Sequence, residues 1–291
     1  MKTSSFISLF VLILFASCAK NEVTNIALDK SNINISVGQI DSVFATVTIT
    51  GEMSKLPLTW TSSNAGILTV TEVENSVASK TDKTYTKTAL ITGVSVGSAI
   101  VTVKAGEKTI TCQVTVDDIY PNLTQAELWY WGDAYSSNVS NNFTLYLGSS
   151  DIKMDDLSGY GEVLILELNS PLTVKDSIPQ GTYEMMTDLS LVENFKAKTL
   201  VPAYINENNQ KWGSWYYGET VNPIIDGNII VKRSNNIYTI DYELFDEYGA
   251  KVSGVYSGPV GNVDGTVLAA VKKNVRANSV NMKFKSINLK R

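Results

Sequence analysis

The sequence predicts an all-β protein, a β-sandwich followed by a second antiparallel domain that is sandwich-like or barrel-like. Short runs rich in Val, Ile, Thr and aromatic residues recur along the 291 residues, each bounded by Gly, Asn, Ser or Pro. Several alternate strictly, as in Thr109-Ile110-Thr111-Cys112-Gln113-Val114-Thr115-Val116, which is the period of a half-buried strand. With 44% hydrophobic and 18% charged residues, the chain can build two modest cores.

The N-terminus has a polar start with Lys2, an apolar stretch from Phe6 to Phe15, then Ala16 and Ser17 before Cys18. That is the layout of a secretory signal, too short to span a bilayer as a permanent helix. Phe15-Ala16-Ser17-Cys18 resembles the lipobox of bacterial lipoproteins, with Phe where Leu is commoner. The resemblance implies that residues 1–17 are removed and that the Cys18 thiol carries a diacylglycerol, leaving 18–22 as a lipidated tether. An ordinary signal peptide with an incidental Cys18 is the competing reading. Ala19-Lys20-Asn21-Glu22 partly resembles the surface-export signal of Bacteroidota-type lipoproteins, with Asn21 where an acid is expected. That implies an outer-membrane protein whose membrane partner is reached through lipid and whose folded part faces outward. The periplasmic face is the alternative.

Residues 23–116 contain Ile26-Ala27-Leu28-Asp29, Ile35-Ser36-Val37-Gly38, Leu58-Thr59-Trp60-Thr61-Ser62-Ser63-Asn64 and Ile91-Thr92-Gly93-Val94-Ser95-Val96-Gly97 before the alternating run above. Together these resemble the bacterial immunoglobulin-like group 2 domain. The resemblance implies a sandwich with Trp60 as its core aromatic and a spacer role in a surface protein or adhesin. Gly38 and Gly97 fall at turns. The segment from Glu72 to Thr86 is longer and more polar than the short turn usual in that family. Alternation makes Cys112 a buried core thiol.

Asp117-Asp118-Ile119-Tyr120-Pro121-Asn122 interrupts the alternation and reads as a linker, 117–122. Residues 123–291 resume with strands expected at Ala126 to Trp131, Asn142 to Leu147, Val163 to Leu168, Gly181 to Met185, Ile229 to Lys232, Tyr238 to Phe245 and Val252 to Tyr256. Val163-Leu164-Ile165-Leu166 is apolar on both faces and suits a covered central strand. Trp131-Gly132-Asp133, Ile178-Pro179-Gln180-Gly181-Thr182-Tyr183 and Gly254-Val255-Tyr256-Ser257-Gly258 resemble an all-β module of uncharacterised Bacteroidota lipoproteins, which brings no activity with it.

Composition narrows the function. No histidine is present, which excludes Ser-His-Asp and Cys-His nucleophiles and imidazole metal sites. A net charge of -5 gives no reason to expect nucleic acid. The basic C-terminal residues Lys272, Lys273, Arg276, Lys283, Lys285, Lys290 and Arg291 read as a solvated strand face. Asp151-Ile152-Lys153-Met154-Asp155-Asp156 lacks the regular spacing that wraps calcium and reads as a solvated loop. Asp241 and Glu243 belong to the wet face of a strand, so no catalytic, metal or cofactor set is expected and the protein reads as non-enzymatic.

Four of the five tryptophans lie in Leu128-Trp129-Tyr130-Trp131-Gly132-Asp133 and Trp212-Gly213-Ser214-Trp215-Tyr216-Tyr217-Gly218. Flat rings beside Asp and Gly suit the faces and hydroxyls of sugars, making Trp129, Trp131, Asp133, Trp212, Trp215 and Tyr217 the candidate ligand residues. Alternation puts Trp129 and Trp131 opposite Leu128 and Tyr130, and one face must be core. The expected ligand is a glycan. The alternatives are a surface protein met by an apolar patch and aromatics that merely fill the core.

Overall fold

The computed structural model describes residues 22–50, 57–79, 81 and 83–267. Cys18, the signal segment and the basic residues Lys272 to Arg291 lie outside them. The first domain contains β1 (Glu22–Leu28), β2 (Asn32–Ser36), β3 (Ile40–Thr50), β4 (Leu58–Ser62), β5 (Leu68–Ser79), β6 (Thr84–Gly93), β7 (Gly97–Ala105) and β8 (Lys108–Asp117). They form two four-stranded sheets, β1-β3-β6-β5 and β2-β8-β7-β4. Val43, Ala45 and Val47 of β3 face Val101, Val103, Val114 and Val116 of the opposing sheet, all 0% exposed. Cys112 is also 0% exposed, and burial, reinforced by the Asp29 carboxylate, pushes its thiol pKa up.

Two expectations shift here. Trp60 lies half-buried against the core, because β4 is an edge strand with one neighbour. Most of the polar stretch from Glu72 to Thr86 belongs to two strands: β5 runs on to Ser79 and β6 begins at Thr84, and the two pair Ser79 with Thr84, around a bulge between Val73 and Ser76. Its polarity suits a ribbon whose Lys87 and Glu72 pair across the strands.

The second domain contains β9 (Gln125–Gly132), β10 (Asn141–Gly148), β11 (Ile152–Lys153), β12 (Ser158–Gly159), β13 (Val163–Ser170), β14 (Gly181–Met185) and β15 (Thr199–Val201). It continues with β16 (Tyr204–Ile205), β17 (Lys211–Trp212), β18 (Trp215–Tyr217), β19 (Val221–Ser234), β20 (Ile237–Asp246), β21 (Lys251–Gly258) and β22 (Gly261–Asp264). The main sheet runs β21-β20-β19-β14-β15-β13-β10-β9-β22, with β18 bridging β13 and β19. β21 and β22 sit at its opposite ends, yet only Pro259 and Val260 separate them in the chain. The sheet must therefore curl until its edges meet, which makes a barrel.

Its interior is lined by Phe143, Leu145, Leu164, Leu166, Ile229, Ile240 and Leu244, with Tyr183, Tyr216, Tyr242 and Tyr256 among them. The buried phenols reach acceptors: Tyr183 donates to Pro179 O at 2.9 Å, Tyr242 to Pro121 O at 3.4 Å and Tyr216 to Glu162.

Residues 117–122 are bonded to the barrel. Ile119 N–H donates to Lys251 O at 2.7 Å, Ser253 N–H donates to Ile119 O at 3.1 Å, and Lys251 N–H donates to Asp118 Oδ1 at 3.2 Å. Asp246, 2% exposed, braces the β20–β21 turn by accepting from the backbone of Tyr248 and Ala250. That turn lays Tyr248 against Gly38 of the sandwich: a β-carbon on Gly38 would come within 2.4 Å of Tyr248 Cβ. The two domains thus meet through strand pairing and a packed turn.

Gly38 and Gly249 both have left-handed φ, +78° and +84°, but only Gly38 is crowded. Either glycine replaced by alanine carries the same backbone cost of about 1–2 kcal/mol. Gly38→Ala should cost about 1–3 kcal/mol more than Gly249→Ala, from the forced collision at the joint, read from urea-unfolding midpoints.

Burial pushes the phenol pKa values of Tyr183, Tyr216 and Tyr242 well above their ordinary 10.0, and that of Tyr217 up to about 12. A raised folded-state pKa means the stabilisation is complete below pH 10 and fades as pH rises past it. Unfolding midpoints should hold below pH 10 and fall above it, with the tyrosinate absorbance of these buried phenols appearing only together with unfolding.

Candidate functional site

The outer barrel face at β9, β10, β13 and β18 carries the predicted aromatics. Strand register aligns Glu127, Tyr146, Ile165 and Trp215 in one row across these four strands. Trp129 packs on Trp131 with ring centroids 5.7 Å apart and meets the edge of Tyr146 at 6.1 Å. Trp129, Trp131, Trp215 and Tyr217 form one cluster with Ile152, Leu157 and Val163. The two aromatic stretches, far apart in sequence, therefore do come together.

They come together under cover. Trp129 and Trp131 are 8% exposed, and Trp215 and Tyr217 6%. The acidic stretch Asp151 to Asp156 belongs to the small β11–β12 hairpin, whose Ile152 and Leu157 pack onto these rings while its acids face water. A second excursion carries the β16–β17 hairpin, from which Lys211 Nζ lies 4.7 Å from the Trp215 ring centroid and 5.3 Å from that of Tyr217. Trp212, on this hairpin, is half-buried, and its carbonyl accepts from Trp215 Nε1 at 2.7 Å. Trp131 Nε1 donates to Thr144 Oγ1 at 2.9 Å and Trp129 Nε1 to Glu127 Oε2 at 3.0 Å. The rings of Trp129, Trp131, Trp215 and Tyr217 and the indole N–H groups of Trp129, Trp131 and Trp215 are committed within the protein, so these four residues are a second core and leave no open flat face for a sugar.

Asp133 is a loop staple. Its carboxylate accepts from Ser137 N at 2.8 Å, Ser137 Oγ at 3.0 Å and Asn138 N at 2.7 Å. Burial pushes its pKa up, but these bonds outweigh burial and hold the carboxyl below the usual carboxylate range.

The other face of β9 leads to a cleft of about 280 Å³ lined by Tyr130, Lys175, Asp176, Asn262, Val263 and Asp264, with buried Leu128 and Phe143 closing its inner side. Tyr130 and Phe143 are 5.2 Å apart between centroids. Burial, then the nearby Asp264 carboxylate, raises the Tyr130 phenol pKa, so it stays a protonated donor. β9 leaves the sandwich-side end at Gln125 and reaches the cleft at Tyr130, about 17 Å further on, so the cleft lies at the barrel end away from the sandwich. Sequence reasoning singled out Trp129 and Trp131 and passed over Tyr130 between them. Alternation gives two faces but cannot say that loops cover the outer one. Lys175 and Asp176 come from the loop after β13, and only the fold brings them opposite β22.

Among the described residues, no group of three His, Cys, Asp or Glu could hold a metal, and no helix is long and apolar enough to cross a membrane.

No protein-family profile matches the chain, and no curated protein matches its sequence. Among solved structures, domains 5-6 of the S-layer protein SbsC align over 84% of this chain and 100% of theirs, at 13% identity and a TM-score of 0.29. Domains 4 and 5 of SbsC align over 33% of this chain and 46% of theirs, at 23% identity and a TM-score of 0.28. The Yersinia pseudotuberculosis adhesin InvE aligns over 84% of this chain and 59% of its own, at 12% identity and a TM-score of 0.24. Superpositions this loose leave the fold to rest on the strand pairing itself.

If the outer aromatics are core, Trp131→Ala and Trp215→Ala should each cost about 3–5 kcal/mol, measured by denaturant unfolding. Near-unchanged stability in either variant would put that ring back at the surface.

Proposed function

We propose that the protein is a non-enzymatic cell-surface component, structural or adhesive in kind, whose sandwich is a stiff spacer presenting the barrel. The observation that carries this reading is the bonded joint at Ile119 and Tyr248 together with a cleft at the opposite end of the barrel. A spacer that holds a binding end away from its attachment point works only if the connection resists bending. In this reading Cys18 carries lipid in the outer membrane and the barrel faces outward.

A glycan is the ligand that best suits the cleft, because Tyr130 supplies a ring and Lys175, Asp176, Asn262 and Asp264 supply donors and acceptors for hydroxyls. A protein partner is the second reading. It is favoured by Ile230 and Val255, 39% and 59% exposed, which flank Asp241 across the outer face of β19, β20 and β21.

Labelled palmitate should enter the wild-type protein and not Cys18→Ala, and protease added to intact cells should remove the barrel. Equal labelling of both proteins would refute the anchor, and protection from protease on intact cells would refute outward display.

A further inference from the structure

We propose that the distal cleft takes a single terminal residue of a neutral glycan, end-on, with Asp176 and Asp264 accepting its hydroxyl hydrogens. This rests on the glycan reading above and narrows it.

Size and shape come first. At about 280 Å³ the cleft falls just below the roughly 300–1,000 Å³ typical of sites for drug-sized ligands, and so suits one sugar ring. Leu128 and Phe143 close its inner side, Asn262 to Asp264 of β22 one flank, and Lys175 and Asp176 the other. Such a space holds one ring, a fit that the end of a chain meets.

Charge and hydrogen bonding select the class. Two carboxylates against one ammonium leave the rim negative, which opposes a uronic or other acidic sugar. An ionised carboxylate only accepts, so it requires donors, and a ring of hydroxyls brings them; Lys175 donates, and Asn262 does both. Asp264 is fixed before any ligand arrives: Thr266 donates to its Oδ1 from N at 3.0 Å and from Oγ1 at 2.6 Å. The Thr266 hydroxyl bond, against burial and with help from the Thr266 and Val267 backbone and the Lys175 charge, holds its pKa below the usual range. That makes Asp264 an acceptor of hydroxyl hydrogens and a poor general acid.

The buried tryptophans position this rim. Gly265 sits directly on Trp131, where a β-carbon would lie 2.7 Å from Trp131 Cε3 and 2.9 Å from Tyr130 O. The strand end that bears Asp264 is therefore seated on the outer cluster.

The test titrates the full chain with methyl glycosides of neutral hexoses and N-acetylhexosamines, with the corresponding uronic acids, and with longer neutral oligosaccharides. At least one neutral methyl glycoside should bind and should displace the oligosaccharides, while its uronic acid counterpart binds at least tenfold more weakly. Asp264→Asn and Asp176→Asn, both at exposed positions, should keep the unfolding midpoint and weaken binding about 10- to 100-fold. Unchanged affinity in both variants, or uronic acids bound as tightly as neutral sugars, overturns the proposal. Oligosaccharide binding that no methyl glycoside displaces overturns the end-on site while leaving a glycan ligand elsewhere. The absence of any sugar binding by the wild type overturns both, and hydrolysis of an aryl glycoside overturns the assignment of Asp264 as a binding carboxylate.

Discussion

The structure depends on one constraint, that a sheet's two margins cannot be left with open rows of N–H and C=O groups. The barrel meets it with a split seam. At the sandwich end, the free edge of β21 pairs with Ile119, just after the first domain. Beyond Pro259 the same strand line crosses to the opposite margin, where β22 pairs in parallel with β9. A parallel seam requires both strands to enter from one side, and that is the side on which the sandwich is attached. Closing the barrel and fixing the angle of the spacer are thus one event: breaking the Ile119 pairing would reopen an edge as well as loosen a joint.

Closure leaves a second problem. A barrel normally turns one face of each strand to solvent, yet β10 is buried along its entire length, alternate side chains on each side. The chain resolves this by looping segments outward over β9, β10, β13 and β18. Val201 pairs with Glu167 while Trp215 pairs with Ile165, so residues 202–214 are looped out between positions only two apart on β13. Glu167, itself 5% exposed, fastens the return by accepting from Gly213 N at 2.9 Å and Tyr135 Oη at 2.6 Å. The Lys211 ammonium then rests on the aromatic faces it covers, where burial lowers its pKa.

These two devices explain what could be read from sequence. Strands whose two faces differ were legible: Ile240, Tyr242 and Leu244 are buried, Asp241 and Glu243 exposed, and β14 spans the expected Gly181 to Met185. The doubly apolar Val163-Leu164-Ile165-Leu166 is a covered central strand with neighbours on both sides. The segment from Thr199 to Tyr217 was not legible, because a strand interrupted by an excursion loses its period. β22 was missed for a different reason: Gly261-Asn262-Val263-Asp264 has no strand composition and is a strand only because closure needs a partner there. Trp129, Trp131, Trp215 and Tyr217 lie in a core and not on a platform for the same physical reason. Trp and Tyr serve a sugar platform and a core equally well, and only the long-range folding over of β11–β12 and β16–β17 decides between them.

The division of labour within β9 follows from its pleat. Trp129 and Trp131 point outward into the second core, while Leu128 and Tyr130 point to the barrel interior and the cleft. An alternating strand cannot offer both sets to the same ligand. The buried indoles nonetheless act on the cleft indirectly, since Gly265 can approach Trp131 closely only because it has no side chain. That approach seats the end of β22 next to Tyr130, the register partner of Asp264, on the edge of the cleft. The aromatic richness that draws attention in the sequence therefore supports the cleft from behind, and the groups that line it are ordinary polar residues placed by barrel closure.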